Sequence, residues 1–503
     1  MQHNILEYLE KTVIKFPNKI AVEDENGSVT FRQLRQNALS ISNFLIKNGY
    51  SGCKPVPVLV NKSIMAIECF LGVLYAGGFY VPLDVSNPKR RIHSILENIA
   101  PDFMLLDNKY KDILSGLNNT IKCLVVNEDV MSEQQFEYFS SNIDTDPAYL
   151  INTSGSTGNP KGVVISHRSV IDYIDWASDT YGVNESHIIG NQAPFVFDNS
   201  VLDIYLMIST GAKLILIPDK TFMFPVNLIN YIDEKKISFI FWVPSIMLNV
   251  MKVNALKSKK SDSLSHILFA GEVMHAKVLN YWREHYPLAI FSNLYGPTEI
   301  TVDCTYYIFE RNFDNNDELP IGFPCKNSDI LILNEDNNLV STKDKIGELC
   351  VRGSSLALGY YNDFEKTSSV FIQNPLNKNY PERIYRTGDL VCYNELGEIL
   401  YKGRKDFQIK HMGYRIELGE IENAILSLNG IDNGCVMYDR EDKKIVLLYE
   451  SKQHLSQKDI LLGLHDLLPK YMLPNKFIMI EKIPLNINGK IDRARISDEY
   501  TNA

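Results

Sequence analysis

The sequence predicts an α/β fold, with a large, multi-lobed N-terminal domain and a small α+β domain at its C-terminal end. Three observations lead to this prediction. The 503 residues are too many for one compact core. Short apolar runs alternate with helix-period stretches until a β-rich lobe begins at about residue 318. The pattern changes again after Arg404, where strand and helix signals continue over a length typical of a small domain.

The first lobe carries the signals of layered α/β structure, in which buried strands alternate with helices. The segment KSIMAIECFLGVLYAGG (62–78) predicts a helix that stops at Gly77 and Gly78. Central strands are predicted at PVPVLV (55–60), FYVPLD (79–84), KLILIP (213–218), SFIFWV (238–243) and HILFAG (266–271).

The β-rich lobe, at about 318–402, is indicated by glycines between short apolar runs. The domain boundary is expected in the charged turn that contains Arg404, so that residues 1–404 form the core and residues 405–503 the C-terminal domain. In this domain, IELGEIENAILSLNG (416–430) predicts a helix that stops at Gly430, because Leu418, Ile421, Ile425 and Leu428 share one helical face. Further elements are predicted at CVMYD (435–439), KIVLLYE (444–450) and DILLGLHDLL (459–468).

Composition and charge narrow the function classes. The formal net charge of −10 gives no overall support to nucleic-acid binding. The eight cysteines lie far apart and without metal-ligand spacing, as expected for reduced thiols. The N-terminus has charges throughout, and the most apolar stretch, residues 237–248, contains a proline and is too short to span a bilayer. We therefore expect a cytoplasmic protein that does not insert into a membrane.

The loop TSGSTGNPKG (153–162) predicts a binding site for a polyanion. Glycine allows the backbone to wrap around an anion, hydroxyls and N–H groups donate to it, and a lysine adds positive charge. A flexible linker is the alternative, but the loop is short and lies between two apolar runs. A P-loop would need GxxxxGK[ST] followed by a helix, whereas this spacing differs and VVISH (163–167) predicts a strand. The residues expected around the anion are Thr153, Ser154, Gly155, Ser156, Thr157, Gly158 and Lys161.

Together with this loop, seven other motifs occur in one order along the chain. In this set and order the chain resembles the adenylate-forming superfamily, which includes acyl-CoA synthetases, luciferases and the adenylation domains of nonribosomal peptide synthesis. The resemblance implies two steps, in which a carboxylate attacks the α-phosphate of ATP and a thiol then displaces AMP. The motifs are LGVLYAGGFYVPLD (71–84), FVFDNSVLDIY (195–205), NLYGPTE (293–299), GELCVRGSSLALGYY (347–361), YRTGDL (385–390), GRKDFQIKHMGYRIELGEIE (403–422) and NINGKIDR (486–493).

The resemblance implies ATP and Mg²⁺ as cofactors and assigns residues to them. The loop 153–162 would hold the β- and γ-phosphates, and Glu299 would bind Mg²⁺, which prefers hard oxygen donors. Tyr295 would stack on adenine and Asn293 would hydrogen-bond its edge. Asp389 would accept both ribose hydroxyls, since a carboxylate has two oxygens. Gly271, Gly296 and Thr298 are expected in the same nucleotide site.

The expected catalytic lysine, Lys490, would bridge the attacking carboxylate and the α-phosphate. It lies in the C-terminal domain, which members of the superfamily swing for the thiol step, so this domain is expected to be mobile. Asp406 matches the acidic hinge residue. Arg404 beside it is expected to contact the ribose or the hinge acid.

Asp198, in FDNS, decides the substrate class. A carboxylate in an apolar run needs a partner, and in amino-acid-activating members the matching aspartate holds the α-ammonium. The alternative is an aspartate that caps the following helix. A mostly apolar pocket, with bulk at Leu202 and Phe241, favours a small, uncharged side chain. By resemblance, the other pocket positions are Asn199, Leu202, Phe241, Leu268, Ala270, Leu294, Val302 and Asp303.

The pocket pattern is similar to that of L-proline-activating enzymes that load carrier proteins, from which it departs at Asn199, Phe241 and Asp303. Phrases such as ILFAGEV (267–273) also resemble D-alanine–D-alanyl carrier protein ligase, in which cysteine usually stands at the position of Ala270. L-Proline is therefore the first candidate substrate, D-alanine the second and serine the third.

The thiol acceptor is inferred from motifs that the sequence lacks. No carrier-domain serine motif follows Lys490, and no HHxxxD motif precedes the loop. We therefore expect a freestanding enzyme that loads the phosphopantetheine of a separate peptidyl or acyl carrier protein. An acyl- or aryl-CoA synthetase with a structural Asp198 is the alternative. A catalytically silent binding protein is less consistent with the presence of Glu299, Asp389 and Lys490.

Overall fold

Three large sheets and their helices build the chain up to Arg404, and two smaller sheets follow. The computed structural model describes residues 2–116, 121–127, 130, 142–155, 160–258, 261–439, 442–453, 455–484 and 491–500.

The strands are numbered along the chain. Within the described ranges they are β1 (Ile20–Asp24), β2 (Gly27–Thr30), β3 (Pro55–Leu59), β4 (Phe79–Pro82), β5 (Phe103–Leu106), β6 (Lys122–Val125), β7 (Pro147–Thr153), β8 (Lys161–Ser166), β9 (Ile188–Asn191), β10 (Lys213–Leu216), β11 (Phe239–Trp242), β12 (His266–Phe269), β13 (Ile290–Tyr295), β14 (Thr305–Ile308), β15 (Phe323–Pro324), β16 (Ser328–Leu333), β17 (Gly347–Gly353), β18 (Gly359–Tyr360), β19 (Phe371–Gln373), β20 (Arg383–Tyr393), β21 (Ile399–Arg404), β22 (Gln408–His411), β23 (Tyr414–Glu417), β24 (Asn433–Asp439), β25 (Lys444–Glu450) and β26 (Lys476–Met479).

The helices are numbered in the same way. In the described part of the chain they are α1 (Leu6–Lys15), α2 (Phe31–Lys47), α3 (Ile64–Tyr75), α4 (Lys89–Ile99), α5 (His167–Tyr181), α6 (Asn199–Thr210), α7 (Pro225–Glu234), α8 (Pro244–Lys252), α9 (Ala255–Ser258), α10 (Ala276–His285), α11 (Phe364–Val370), α12 (Leu418–Leu426), α13 (Gln457–His465) and α14 (Arg493–Tyr500). Short 3-10 segments are Asn108–Leu114, Asp219–Met223, Thr298–Ile300 and Lys470–Met472.

The two largest sheets have parallel centres. The nine-stranded sheet has the order β15-β14-β13-β12-β11-β9-β10-β1-β2, and the seven-stranded sheet has the order β18-β8-β7-β4-β3-β5-β6. Strands from β1 to β13 in the first sheet run parallel, as do β7, β4, β3, β5 and β6 in the second. Parallel strands are buried on both faces, which accounts for their continuous apolar composition. All five predicted central strands are present, as β3, β4, β10, β11 and β12.

An antiparallel five-stranded sheet forms the β-rich lobe, with the order β16-β17-β20-β19 and β21 on β20. One of the short apolar runs between glycines in this lobe, GELCVRG (347–353), is β17 in full. The predicted helix at 62–78 is shorter than expected and ends at Tyr75, because Gly77 takes a positive φ of 79° that suits glycine.

The chain after Arg404 contains the hairpin β22–β23 and the three-stranded sheet β24-β25-β26. The helix predicted at 416–430 begins later, at Leu418, because Ile416 still belongs to β23. Two apolar clusters in this part contain only residues from 409 onward, whereas the larger clusters contain only residues up to 401. The observed organisation confirms a large N-terminal and a smaller C-terminal unit. Among the described helices, none is both long and apolar enough to cross a bilayer.

Candidate active site

The predicted anion loop joins β7 to β8 at one end of the seven-stranded sheet. Thr153 is the last residue of β7, Ser154 and Gly155 follow it in buried positions, and Lys161 begins β8. The antiparallel pairing of Thr153 with Lys161 brings the two ends of the loop together. The predicted anion contacts of Ser156, Thr157 and Gly158 lie outside the described residues.

Glu299 is the charged centre of the site. Its side chain has no solvent exposure, and three groups surround its carboxylate. Arg415 donates from Nη1 to Oε2 at 2.6 Å, Tyr360 donates its hydroxyl to Oε1 at 2.7 Å, and Lys161 Nζ lies 3.7 Å from Oε1. Burial alone would raise the pKa of Glu299, but Arg415 and Lys161 outweigh it and hold that pKa well below its usual value. Glu299 is therefore a carboxylate at any physiological pH.

Lys161 provides the cation of the loop in a setting with little water. Its side chain is 14% exposed, and Nζ lies 5.0 Å from the centroid of the Tyr360 ring. Burial and then the neighbouring Arg415 lower the pKa of Lys161 to about 8, although Glu299 opposes them. A bound polyanion would raise the pKa of Lys161 again, so that its ammonium group is charged when it contacts the anion.

The hairpin β22–β23, which we call the docking hairpin (Gln408–Glu417), contacts this site from the C-terminal unit. Ser154 donates its hydroxyl to the Arg415 carbonyl at 2.8 Å and accepts from the Glu417 N–H at 3.2 Å. At the hairpin turn, the Gly413 N–H donates to Glu272 Oε1 at 2.9 Å. These contacts place the hairpin over the loop and beside Glu299.

The residues expected to hold adenosine form a second cluster. Tyr295 donates its hydroxyl to Asp389 Oδ2, while Arg404 donates from Nη1 to Asp389 Oδ1 at 2.8 Å. Arg404 also makes a two-point contact with Asp406, at 2.6 and 2.8 Å. Each oxygen of Asp389 thus accepts one hydrogen bond from the protein, and each retains a further acceptor position for a ribose hydroxyl. Asn293 donates from Nδ2 to the Pro320 carbonyl at 2.8 Å.

Two glycines permit the backbone geometry around this cluster. Gly271 has a φ of 89°, a conformation that suits glycine. At Gly296, an added Cβ would lie 2.3 Å from the Val302 carbonyl oxygen and 2.6 Å from the Asp303 Cα. The loop after Tyr295 therefore folds back tightly on itself.

Asp198 is the residue that precedes α6, and its side chain makes no capping hydrogen bond. The helix-cap alternative is therefore wrong. Thr298, in the segment that carries Glu299, is a polar neighbour of the Asp198 carboxylate instead. Burial raises the pKa of Asp198, while Thr298 and the nearby Lys410 favour its charged form. The structure thus brings Asp198 to the loop that carries Glu299.

The six apolar residues expected to line the substrate pocket belong to one buried cluster. Phe241 and Leu268 are paired across β11 and β12, where neighbouring strands place their side chains together. Asn199, at the start of α6, has a buried Nδ2 with no hydrogen-bond partner. The six apolar residues are Leu202, Phe241, Leu268, Ala270, Leu294 and Val302.

Asp303 adds a second carboxyl group to this region. It is 2% exposed and accepts a hydrogen bond from the Tyr173 hydroxyl at 2.7 Å. Burial, with a smaller contribution from Asp198, raises the pKa of Asp303 to about 7.

Several side chains of this site were not singled out from the sequence. Arg415 and Lys410 lie within the motif at 403–422, but the residues that their side chains contact lie far away in the sequence. Lys410 Nζ lies 5.7 Å from the Tyr295 ring centroid, and burial lowers its pKa. Tyr173 lies in α5, outside every quoted motif. The predicted catalytic Lys490 lies outside the described residues.

The donor set fits a nucleotide with Mg²⁺. In the described residues there is no group of three or more histidine, cysteine, aspartate or glutamate side chains suited to hold a metal. Mg²⁺ commonly takes one or two carboxylates and completes its shell with phosphate and water oxygens. Glu299, which is ionised and lies next to the anion loop, fits that mode of binding once Arg415 has left its Oε2.

Comparison with known proteins identifies relatives across the chain. Residues 9–361 match the family described as AMP-binding enzyme. The chain is 31% identical over 515 residues to zwittermicin A synthase ZmaJ of Bacillus cereus, covering 99% of this chain and 96% of that protein. It is also 31% identical over 517 residues to a D-alanine–D-alanyl carrier protein ligase of Bacillus cereus, covering 99% of both. Identity to gramicidin S synthase 2 of Brevibacillus brevis is 33% over 505 residues, which are 99% of this chain but 11% of that protein.

Solved structures share the fold. An artificially fused adenylation–PCP di-domain, NpsA-ThdA from Klebsiella oxytoca, superposes with a TM-score of 0.83 at 21% identity, covering 95% of this chain and 94% of that one. The o-succinylbenzoate CoA synthetase MenE from Bacillus subtilis gives a TM-score of 0.85 at 19% identity, covering 99% of both chains.

Proposed function

The chain belongs to the family of AMP-binding enzymes, and we propose that it uses ATP to activate a small amino acid and passes it to the phosphopantetheine thiol of a carrier protein. The position of Asp198 supports this proposal more than any other observation. Its carboxylate lies close enough to Thr298 and Glu299 for both to act on its ionisation, and Thr298 immediately precedes Glu299. An acid suited to an α-ammonium group, at the start of α6, therefore lies beside the segment that carries an acid suited to Mg²⁺.

In the first step, the substrate carboxylate attacks the α-phosphate and pyrophosphate leaves. The N–H and hydroxyl groups of the loop 153–162 bind the phosphates, and Lys161 neutralises part of their charge. Bound at Glu299, Mg²⁺ would neutralise charge on the phosphate oxygens. Tyr295 orients the base, and Asp389 binds the ribose hydroxyls through the acceptor positions that Tyr295 and Arg404 leave free. Holding the reactants in line supplies much of the catalysis.

In the second step, the carrier thiol attacks the acyl-adenylate and AMP leaves. We assign residues 405–503 to a mobile domain, hinged at Asp406, that brings Lys490 to the α-phosphate for the first step. Asp406 suits a hinge because its side chain is 49% exposed and its contacts are polar. When Arg415 occupies Glu299, as here, the docking hairpin takes the place beside the loop. Departure of the hairpin would open Glu299 to Mg²⁺.

The pattern of pocket residues makes L-proline the first amino acid to test, followed by D-alanine and serine. D-Alanine gains support from the relative named D-alanine–D-alanyl carrier protein ligase, which matches over 99% of both chains. The thiol that accepts the acyl group distinguishes the two candidate functions. The proposed enzyme would transfer it to a carrier protein, whereas an acyl- or aryl-CoA synthetase would transfer it to free CoA.

The test is amino-acid-dependent exchange of labelled pyrophosphate into ATP, measured with the full chain over the twenty proteinogenic amino acids and D-alanine. We expect exchange with a small amino acid and its loss in Asp198→Asn, because the amide cannot balance the α-ammonium charge. Asp179→Asn is the matched control, since Asp179 is exposed and lies 3.7 Å from Lys326. ATP binding should persist in both variants.

Two results would contradict the proposal. Exchange with no amino acid, in a protein that binds ATP, would leave a binding protein without this activity. Thioester formation on CoA from a plain carboxylic acid, unaffected by Asp198→Asn, would favour the CoA synthetase.

A further inference from the structure

A buried acid lies where the predicted pocket is otherwise apolar. Asp303 Oδ2 accepts from the Tyr173 hydroxyl at 2.7 Å, and both residues are almost fully buried. The Tyr173 ring stacks on Trp176 with centroids 5.6 Å apart, which fixes the direction of its hydroxyl. Burying a carboxyl group destabilises the folded protein unless hydrogen-bond donors or a positive charge compensate for the lost water.

The backbone around Asp303 folds back closely on the segment that begins at Gly296. Val302 has a positive φ of 71°, and Gly296 lies so close that an added Cβ would be 2.6 Å from the Asp303 Cα. The same short loop carries Thr298, a polar neighbour of Asp198. Asp303 belongs to this turn, and Asp198, at the start of α6, lies close enough to influence the ionisation of Asp303.

Apolar side chains make up most of the predicted pocket beside these carboxyl groups, and Lys410 lies near enough to favour the charged form of both. Leu202, Phe241, Leu268, Leu294 and Val302 are in the same buried cluster as Tyr173. Asn199 adds a buried Nδ2 that has no hydrogen-bond partner. The region therefore offers the carboxyl group of Asp198 for an α-ammonium group and that of Asp303 for a second polar group of the substrate.

We infer, on the basis of the proposed function, that Asp303 and Tyr173 form a recognition pair that selects a short amino-acid side chain ending in a hydroxyl or amine donor. Asp303 accepts the hydrogen bond from the substrate side chain, and Tyr173 positions Asp303. L-Proline and D-alanine have no such donor, so Asp303 would keep only Tyr173 and gain no hydrogen bond from the substrate after its pocket has lost water, which costs binding energy. Serine, or an amino acid with a short side-chain amine, therefore moves ahead of them.

The substrate panel tests this directly, with pyrophosphate exchange by the full chain. It contains L-serine and L-2,3-diaminopropionate, their apolar isostere L-2-aminobutyrate, and L-alanine, D-alanine and L-proline. We expect serine or diaminopropionate to exceed aminobutyrate in kcat/KM by about tenfold to hundredfold. Which of the two is preferred identifies the donor as a hydroxyl or an amine. Equal or better use of aminobutyrate, an alanine or proline would overturn the inference.

Variants test the assigned residues through the ratio of kcat/KM for the preferred donor substrate to that for aminobutyrate. Asp303→Asn keeps the size of the side chain but loses its charge, and we expect the ratio to fall about tenfold. Tyr173→Phe should lower the ratio by a smaller factor, through KM for the amino acid and not through KM for ATP. Tyr181→Phe is the matched control, because this buried tyrosine hydrogen-bonds to Ser292 at 2.8 Å and not to an acid.

An unchanged ratio in Asp303→Asn, with ATP binding intact, would overturn the assignment. Exchange restricted to apolar amino acids would contradict this inference while leaving amino-acid activation in place. Exchange with no amino acid at all would contradict the proposed function, and the inference with it.

Discussion

Arg415 donates to Glu299 Oε2 at 2.6 Å, so a cation from the C-terminal unit neutralises the carboxylate that is proposed to bind Mg²⁺. The Arg415 backbone carbonyl also accepts from Ser154 of the anion loop. One residue of the docking hairpin therefore covers both the metal position and the start of the phosphate site. Binding of Mg²⁺ at Glu299 and docking of this hairpin are competing events, and each must weaken the other.

Removing the guanidinium should release this competition. We expect Arg415→Gln to bind Mg²⁺–ATP severalfold more tightly, in the range of about three- to tenfold, because Glu299 no longer has to give up Arg415. Glu299 keeps Tyr360 and Lys161 as partners, so the variant should stay folded. Isothermal titration calorimetry measures the affinity, and Arg495→Gln, a change at an exposed ion pair, is the control. Weaker nucleotide binding in Arg415→Gln would contradict the competition.

The two half-reactions should separate at Lys490. Lys490→Ala is expected to slow pyrophosphate exchange by about a hundredfold or more. The reason is that the lysine's positive charge no longer stabilises the negative charge on the α-phosphate during transfer of the adenylyl group. Transfer from a synthetic aminoacyl-adenylate to the carrier protein should persist, which gel-shift or mass analysis of the carrier would detect. Lys482→Ala, at an exposed lysine nearby, should affect neither reaction. Equal loss of both half-reactions would contradict the role given to Lys490.

The tight turn at Gly296 should not tolerate a methyl group. A Cβ at this position would clash with the backbone of Val302 and Asp303 at 2.3 and 2.6 Å, so Gly296→Ala must displace the loop that carries Glu299. We expect exchange activity to fall by about tenfold or more, with a lower melting temperature. Gly27→Ala, where a Cβ would meet nothing within 4 Å, should change neither measurement. Unchanged exchange in Gly296→Ala would show that the loop is not held as described.

Glu68, in α3, should make stability depend on pH. Burial, with a smaller contribution from Asp24, raises the pKa of Glu68 to about 7, although Asn37 donates to its Oε1 at 2.6 Å. The folded protein keeps this proton where the unfolded chain has lost it, so this group makes the free energy of unfolding fall as pH rises from about 4.5 to 7. Glu68→Gln should remove that fall and raise the melting temperature at pH 8, by on the order of 1–3 °C.

The control for this experiment is Glu97→Gln, at an exposed glutamate in α4. It should leave the pH dependence of unfolding, followed by circular dichroism from pH 4 to 8, unchanged. A Glu68→Gln curve parallel to that of the wild type would contradict the buried, raised-pKa carboxyl group.

The layered class and the central strands were predictable because they depend on local patterns. The run at 347–353 has consecutive apolar residues between two glycines, and it is β17 in full. The limits of helices were less predictable. The segment predicted as a helix starts at Ile416, but this residue belongs to a strand because it is paired with Ile409 across the docking hairpin. Tertiary pairing there overrides the local preference.

The sequence by itself determined the order of the motifs, the chemistry of the side chains in them and the family to which the chain belongs, since all of these are properties of neighbouring residues. Only the tertiary structure decided which charges meet. Arg415 lies 116 residues from Glu299, and Tyr173 lies 130 residues from Asp303. Such contacts depend on how sheets and hairpins pack, and no local periodicity encodes them. The proposed metal site and the proposed selectivity for a substrate both depend on these two contacts.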